Sequence, residues 1–354
     1  MLPGFSNQES LLLSCQWIKR FSIVWHCFNH RKIIMKKVFW ALIFTGLIST
    51  APARSSEGEV DSIGISAPSN GYLLDAMVLK KAGDSSRMSA IVFLVGSSDL
   101  PWSQSYGNLL RFFFENTFLK NGFAVVYFDK RGVGKSEGTW YETTFEERAL
   151  DARNVAKAIG ELDFIDPKNI FAIGHSQGGW IAQIAVSQYP DVFAGGISMA
   201  GPTFGVRKQM KNDYMSGFLC NGMPEERALR RARRKANRDL FLVSIFGRRG
   251  NLRHLKLIKD FEPRDYIKEI EAPFLMLFAE NDPLVYPEWC LDELEGIFPG
   301  GLPKNITPYV APGEDHHFRI SPMCFTGNRS ELVPSEKTRD LMYQWVVSVM
   351  EDNP

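Results

Sequence analysis

The sequence predicts an α/β fold in which helices cover both faces of a mostly parallel sheet. Short apolar runs rich in β-branched and aromatic residues recur along the chain, and stretches with helical spacing separate them. Several runs are apolar throughout, which is typical of strands buried on both faces. Strands that alternate with helices favour parallel pairing. The predicted core strands are 90–96, 123–129, 169–174, 194–200, 272–282 and 305–313.

The first 53 residues precede the predicted fold. Met35 is followed by two lysines, an apolar run of about a dozen residues and Ala51-Pro52-Ala53, which is the layout of a secretory signal peptide. The apolar run is too short to span a bilayer comfortably. We therefore expect translation to begin at Met35, cleavage after Ala53, and an exported protein that is periplasmic or secreted. The alternative is that residues 1–34 form an extended n-region.

The core elements then alternate between strand and helix. An early strand and turn are predicted at 72–83. The first buried strand, 90–96, follows, and a glycine and two serines mark its end. Apolar residues at helical spacing predict the helices that separate and follow the strands. The predicted helices are 108–120, 145–162, 178–188, 287–297 and 335–350.

Residues 204–265 interrupt this alternation. The segment contains sixteen Lys and Arg against seven Asp and Glu, and no run typical of a buried strand. We predict a basic, mainly helical lid inserted into one domain, whose two core parts are 54–203 and 266–354. Charge runs are usually solvated helical surface. The alternative is that this run attracts anionic substrates, envelope polymers or a membrane surface.

Composition limits the partners and the redox chemistry. The chain carries 41 Lys and Arg against 40 Asp and Glu, so its net charge gives no case for nucleic acid. Three cysteines follow the predicted signal peptide: Cys220, Cys290 and Cys324. An odd number leaves at least one unpaired within the chain. With so few cysteines, the apolar core is expected to carry the stability.

The pentapeptide Gly174-His175-Ser176-Gln177-Gly178 lies between a predicted strand and a predicted helix. A nucleophile elbow requires this strand, turn and helix setting. Its glycines permit a tight turn, because a Cβ there would meet the adjoining strand or helix. A plain glycine-rich turn would also explain the pattern, but the setting predicts Ser176 as a nucleophile.

A serine nucleophile needs a base to take its proton and an acid to orient that base. Asp282 lies in the loop after the strand that follows the lid, and it is the predicted acid. Glu280 is nearer to the end of that strand and is interpreted as a salt-bridge residue. An aspartate before a proline also commonly starts a turn.

The predicted base is His316, in the loop after the last strand, with the adjacent His317 as the alternative. Neighbouring side chains point in different directions, so only one of the two is expected to face the nucleophile. Two other histidines follow the predicted signal peptide. His175 is expected to pack beneath the elbow, and His254 lies in the lid.

Acyl transfer also needs two donors for the oxyanion of the tetrahedral intermediate. The backbone N–H of Gln177, directly after the nucleophile, is the first predicted donor. The second is the backbone N–H of Ser97, beside Gly96 in the loop after the first buried strand.

Four stretches in register resemble the α/β-hydrolase superfamily, in its secreted or membrane-facing esterase and serine-aminopeptidase-like branch. The second of them matches the Asp-x-Arg-Gly-x-Gly-x-Ser signature, which the resemblance places in the wall beside the active site. Family spacing, three residues after the loop glycine, favours His316 as the base. Val95 departs from the family, in which many members have His before the oxyanion glycine. The stretches are Gly96-Ser97, FDKRGVGKSEG (128–138), GHSQGG, and AEND with GEDHHF.

The resemblance implies an α/β-hydrolase fold with an inserted helical lid. It implies cleavage of small-molecule or acyl carboxylic esters through an acyl-enzyme, by Ser176, His316 and Asp282, with no metal or organic cofactor. A serine aminopeptidase or an acyl-thioesterase are alternatives on the same fold. An aminopeptidase needs an acidic group in the lid for the α-amine, and the lid has few acids. A non-catalytic binding protein is disfavoured by the order of the three residues.

Overall fold

The computed structural model describes residues 60–352, in which eight strands form one sheet. The predicted signal peptide lies outside the described residues. The strands are β1 (Val60–Ser69), β2 (Tyr72–Lys81), β3 (Met88–Leu94), β4 (Ala124–Phe128), β5 (Ile165–His175), β6 (Gly195–Met199), β7 (Phe274–Ala279) and β8 (Ile306–Ala311).

The sheet has the order β1-β2-β4-β3-β5-β6-β7-β8. β2 is antiparallel to both of its neighbours, and every pairing from β4 to β8 is parallel. The carboxyl ends of these parallel strands therefore lie at one edge, where the loops that follow them meet. Ligands of open α/β sheets bind at that edge.

Four inner strands of the sheet are buried along their whole length. All residues of β3, β4, β6 and β7 are buried, which agrees with their continuous apolar sequence. Phe93 of β3 packs edge to face on Phe114 and Tyr106, with ring centroids 5.1 Å and 5.3 Å away. Each such buried phenylalanine stabilises the fold by about 2–3 kcal/mol.

The structure adds a strand that the sequence pattern does not predict. β1 pairs with β2 in a hairpin whose two turn residues, Asn70 and Gly71, have φ of 46° and 83°. Asn-Gly is the preferred dipeptide for a two-residue hairpin turn, because both central residues need positive φ. β1 lies at the sheet edge, and its exposed residues alternate with half-buried ones and, near its end, with the small buried residues Ala67 and Ser69, so its apolar signal is weak.

Helices cover the sheet and fill the connections. A π-helical segment, Arg111–Leu119, continues the second helix, where the sequence predicts one regular helix over 108–120. The helices are α1 (Trp102–Ser105), α2 (Gly107–Leu110), α3 (Phe145–Gly160), α4 (Gln177–Gln188), α5 (Val206–Cys220), α6 (Glu225–Phe246), α7 (Gly250–Ile258), α8 (Arg264–Lys268), α9 (Pro287–Ile297) and α10 (Glu336–Asp352).

Residues 204–265, which we call the insertion, lie between β6 and β7 and contain α5, α6 and α7. Along α6, Ala228, Ala232 and Ala236 are fully buried at a spacing of four residues, so small side chains let this helix pack closely. The arginines between these alanines face outward. The sequence spacing therefore separates a packed face of the insertion from a basic, exposed one.

A disulfide joins the end of the insertion's first helix to the loop before α10. Cys220, the last residue of α5, bonds to Cys324, 104 residues further along the chain. Cys290 is free and buried in α9, so one of the three cysteines is unpaired, as the odd number predicts.

Candidate active site

Ser176 lies at the junction of β5 and α4, at the carboxyl edge of the sheet. Its backbone has φ 56° and ψ −122°, a left-handed conformation that is uncommon for a residue with a side chain. The Ser176 N–H donates to the carbonyl of Met199 at 2.8 Å, which fixes the turn to β6. The serine side chain is half-buried and therefore open to a reactant.

Two glycines make this turn possible. A Cβ at Gly174 would collide with the backbone of Gly178, and a Cβ at Gly178 would collide with the carbonyl of Leu94 in β3. Both obstacles are backbone atoms, which cannot move aside as a flexible side chain does. The pentapeptide thus has the spacing that an elbow between strand and helix requires.

Asp282 follows β7 and is completely buried. One carboxylate oxygen, Oδ1, accepts hydrogen bonds from the N–H groups of Leu284 at 2.7 Å and Val285 at 3.0 Å. The other oxygen, Oδ2, is 2.6 Å from Nδ1 of His316. The same aspartate therefore makes the turn that Asp-Pro predicts and holds the histidine.

His316 is buried in the loop after β8. A carboxylate only accepts hydrogen bonds, so the contact with Asp282 puts the ring proton on Nδ1 and leaves Nε2 as the basic nitrogen. Burial lowers the pKa of His316, but the charge of Asp282 and the hydrogen bond to it outweigh burial. The pKa of His316 is therefore raised above its ordinary value.

His317 has different surroundings from its neighbour. Its ring stacks on His175, with centroids 5.0 Å apart and planes at 17°. Burial, together with His175 and His316, places the pKa of His317 well below its ordinary value. No hydrogen bond among the described residues joins His317 to Asp282, so the structure brings only His316 to the predicted acid.

His175 lies beneath the elbow and is almost fully buried. Its Nε2 donates to the main-chain carbonyl of His316 at 2.7 Å. Burial lowers the pKa of His175 to about 3, so the ring stays neutral. This bond ties the residue next to Ser176 to the loop that carries His316. No hydrogen bond within residues 60–352 joins the Ser176 side chain to His316 directly.

The loop after β3 lies against the elbow. A Cβ placed on Gly96 would be 3.4 Å from the Cβ of Ser176, so the Gly96-Ser97 backbone is adjacent to the predicted nucleophile. The Gly96 N–H donates to the Tyr106 hydroxyl at 2.9 Å. In the part of the chain that the structure describes, the N–H groups of Ser97 and Gln177 have no hydrogen-bond partner.

Arg148 of α3 supports this loop and is absent from the sequence-based prediction. It is buried and donates to the Gln177 side-chain oxygen at 2.6 Å and to the carbonyl of Val95. Burial lowers the pKa of Arg148 to about 10. The sequence does contain a signal that Arg148 is buried, since it lies directly beside the buried face of α3 that includes Ala149 and Ala152.

The insertion reaches the acid loop through α5. Asn212 donates to the carbonyl of Pro283 at 3.1 Å and accepts from the N–H of Tyr286 at 2.9 Å. Its neighbour Asp213 accepts from Gln209 at 2.8 Å. The position of α5 is therefore fixed by the loop that holds Asp282.

Asp213 also interacts electrostatically with the site. Burial raises the pKa of Asp213 to about 7, with the charge of Asp282 adding to this effect and His316 opposing it. In turn, Asp213 is one of the carboxylates that raise the pKa of His316. The insertion thus brings one carboxylate to the site.

Glu280 does not have the predicted role. The interpretation of Glu280 as a salt-bridge residue is wrong, since it accepts a hydrogen bond from the N–H of Gly313 at 2.7 Å. It has no ion-pair partner within residues 60–352. The carboxylate therefore joins the loop after β7 to the loop after β8, and so holds together the two loops that carry Asp282 and His316.

The Asp-x-Arg-Gly-x-Gly-x-Ser stretch shapes the loop after β4. Asp129 accepts from the N–H of Trp102 at 2.7 Å, and Ser136 donates to the carbonyl of Asp129 at 2.6 Å. Arg131 binds the buried carboxylate of Asp151 at 2.7 Å. Gly134 has φ 58°, and a Cβ there would collide with Asp129. These contacts explain why the stretch needs these residue types.

No group of three or more His, Cys, Asp or Glu in residues 60–352 is arranged to hold a metal ion.

Known proteins resemble this chain over much of its length. Residues 106–238 match the family described as "Serine aminopeptidase, S33". A bifunctional esterase/perhydrolase of Acinetobacter calcoaceticus is 26% identical over 225 residues, which is 56% of this chain and 77% of the relative.

Two solved structures share the fold. The Pyrococcus furiosus esterase Pf2001 superposes with a TM-score of 0.53 and 18% identity, over 83% of this chain and 92% of that one. Est1E of Butyrivibrio proteoclasticus, solved with ferulic acid, superposes with a TM-score of 0.51 and 14% identity, over 81% and 98% of the two chains.

Proposed function

Because the chain is a member of the α/β-hydrolase superfamily, in its esterase and serine-aminopeptidase-like branch, we propose that it cleaves carboxylic esters through an acyl-enzyme. The predicted fold is confirmed. The buried pair of His316 and Asp282, tied through His175 to the turn that presents Ser176, carries the proposal. The relatives named as esterases support an ester as the substrate.

In the first half-reaction, Ser176 Oγ attacks the carbonyl carbon of the ester. His316 Nε2 takes the hydroxyl proton, and Asp282 stabilises the imidazolium that forms through its bond to Nδ1. The tetrahedral intermediate collapses when the C–O bond to the alcohol breaks. His316 gives its proton to the departing oxygen, which leaves an acyl group on Ser176.

In the second half-reaction, His316 takes a proton from water, and the resulting hydroxide attacks the acyl carbon. Collapse of this intermediate breaks the bond to Ser176, and His316 returns the proton to Oγ. In both steps, the unpaired N–H groups of Gln177 and Ser97 would stabilise the oxyanion. Removing one such donor costs about 10²–10³ in kcat.

Labelling with a fluorophosphonate tests the nucleophile. The wild type should be labelled covalently, Ser176→Ala should not, and Ser348→Ala should react as the wild type does. Ser348 is exposed on the far helix α10, which makes it a matched serine control. Equal labelling of the wild type and Ser176→Ala would overturn the assignment of the nucleophile.

A second candidate is a serine aminopeptidase, the family whose description residues 106–238 match. The small number of acids in the insertion disfavours an aminopeptidase, but Asp213 interacts electrostatically with His316 and Asp282. A carboxylate there can pair with the α-ammonium of a peptide substrate.

Two substrate series separate the candidates. They are p-nitrophenyl esters of graded acyl length, with the matching thioesters, and aminoacyl p-nitroanilides. Faster turnover of oxygen esters would support an esterase, and faster thioester turnover an acyl-thioesterase. If the anilides are preferred, and Asp213→Asn raises KM for them about tenfold or more while KM for the esters hardly changes, the chain is an aminopeptidase.

We also propose that the chain is exported to an oxidising compartment. The signal-peptide pattern before Arg54 and the exposed Cys220–Cys324 disulfide support this, because such bonds persist mainly outside the cytosol. N-terminal sequencing of the mature protein should give Arg54 first. A mature chain that retained residues 35–53 would contradict the predicted cleavage.

A further inference from the structure

The last turns of α6 expose four large apolar side chains, which we call the apolar patch. Phe241 and Phe246 are each 64% exposed, Ile245 48% and Leu242 38%. Positions separated by four residues lie on one side of a helix, so the four side chains form a continuous surface. Exposed phenylalanines grouped in this way are unusual on a soluble protein and mark an interaction surface.

Unpaired arginines come before and after the apolar patch in the sequence, and Arg234, two helical turns before it, lies on the same side of α6. Arg233 and Arg234 precede it on α6, and Arg248 and Arg249 follow it directly. All four are exposed, and none has an ion-pair partner within residues 60–352.

Acidic residues do not neutralise this surface. From Arg227 to Lys259 the sequence contains one acid, Asp239. That carboxylate is buried and bound to Lys235, Arg238 and Tyr214. The exposed side of α6 and the turn after it are therefore basic and apolar together, and an occupant has to match both properties.

We propose that this surface docks the protein onto an anionic phospholipid bilayer. The apolar patch would enter the interface between headgroups and acyl chains, and the arginines would contact the phosphates, which is how amphipathic helices lie on membranes. A soluble polyanion would leave the phenylalanines in water. A second copy packed on the same face would bring arginine against arginine. No helix of residues 60–352 is long and apolar enough to cross a membrane.

Docking does not depend on the hydrolase chemistry. Ser176→Ala protein is therefore used for vesicle flotation, so that no lipid is cleaved and failure of the proposed reaction leaves this result unchanged. The vesicles contain phosphatidylcholine alone, or phosphatidylcholine with phosphatidylglycerol. The protein should float with the second kind, with at least tenfold tighter binding than to the first.

Paired substitutions separate the two parts of the surface. Phe241→Ser/Phe246→Ser should weaken binding to the anionic vesicles about tenfold or more, and Arg233→Gln/Arg234→Gln should weaken it and reduce its salt dependence. The matched controls are Val333→Ser, at a side chain 65% exposed, and Lys168→Gln/Lys304→Gln, at two exposed lysines elsewhere. Both controls should bind as the parent protein does. Melting temperature verifies that each variant is folded.

Three results would overturn the proposal. One is no flotation with either kind of vesicle. Another is undiminished flotation of the double phenylalanine variant together with competition by heparin, which would identify a surface for soluble polyanions. The third is a dimer by analytical ultracentrifugation that the phenylalanine substitutions dissociate, which would show that a second copy covers the apolar patch.

Discussion

The carboxyl edge of the sheet and the insertion use charged residues in opposite ways. At the edge, Asp282, Arg131 and Arg148 are buried, and each is bound to a named partner. On the outer side of the insertion, Arg233 and Arg248 are exposed and lack ion-pair partners among the described residues. A charge fixed by burial positions other groups, whereas an exposed, unpaired charge is available to a partner outside the molecule.

The largest contrast expected at the edge is between its two adjacent histidines. His316→Ala should lower kcat/KM about 10⁴-fold, because it removes the base bound to Asp282. His317→Ala should cost about tenfold or less, since that ring stacks on His175 instead. Steady-state kinetics on a p-nitrophenyl ester measures both. Similar mild losses in the two variants would contradict the assignment of His316 as base.

A smaller effect should separate a buried arginine from an exposed one. Arg148→Met should lower the free energy of unfolding by about 2 kcal/mol, because two acceptors lose a charged donor. It should also lower kcat about tenfold, since the loop beside Ser176 loses its support. Arg233→Met should change stability by less than about 0.5 kcal/mol. Urea unfolding of both variants is the measurement, and equal losses would remove the distinction between the two regions.

The smallest effect concerns Asp213, an insertion carboxylate that interacts electrostatically with the site. The base must be neutral to act, so kcat/KM should rise with pH as His316 loses its proton. Asp282 and the neighbouring carboxylates raise the pKa of His316, so this rising limb of the pH profile should lie above the ordinary histidine pKa. The Asp213 carboxyl, whose pKa is raised to about 7, carries its negative charge above that pH. Asp213→Asn removes this charge, so it should lower the pKa of His316 and move the limb to lower pH.

Asparagine keeps the oxygen that accepts from Gln209, so the substitution should leave the geometry in place. Asp260→Asn, in an exposed pair with Arg207, is the control and should leave the limb where it is. A limb that does not move in Asp213→Asn would mean that the insertion has no electrostatic influence on the base.

Local patterns made much of the fold and part of the site predictable. Each buried strand is a short apolar run, and the turn at Ser176 depends on glycines within two residues of it. The order of Ser176, Asp282 and His316 follows from the order of the strands. β1 is not predictable in this way, because an edge strand in which every second residue is exposed leaves little apolar signal.

The unpredicted parts depend on contacts between distant residues. Arg148 meets Val95 and Gln177, which are 53 and 29 residues away. The coupling of Asp213 to His316 depends on where Asn212 anchors α5, a contact with Pro283 that spans 71 residues. The role of Glu280 is not predictable from the sequence, because its partner is a backbone N–H, that of Gly313, and a backbone donor leaves no mark in the sequence.

The Cys220–Cys324 bond closes a covalent ring that contains α6, Asp282 and His316. A protease that cuts one peptide bond in the exposed turn at Arg248 and Arg249 would open the main chain without releasing a fragment. The nicked molecule would migrate as one band on a non-reducing gel and as two after reduction. The first fragment would carry Ser176, and the second would carry Asp282 and His316. Because the disulfide joins the two fragments, a single cut in this ring would not separate the acid and the base from the serine.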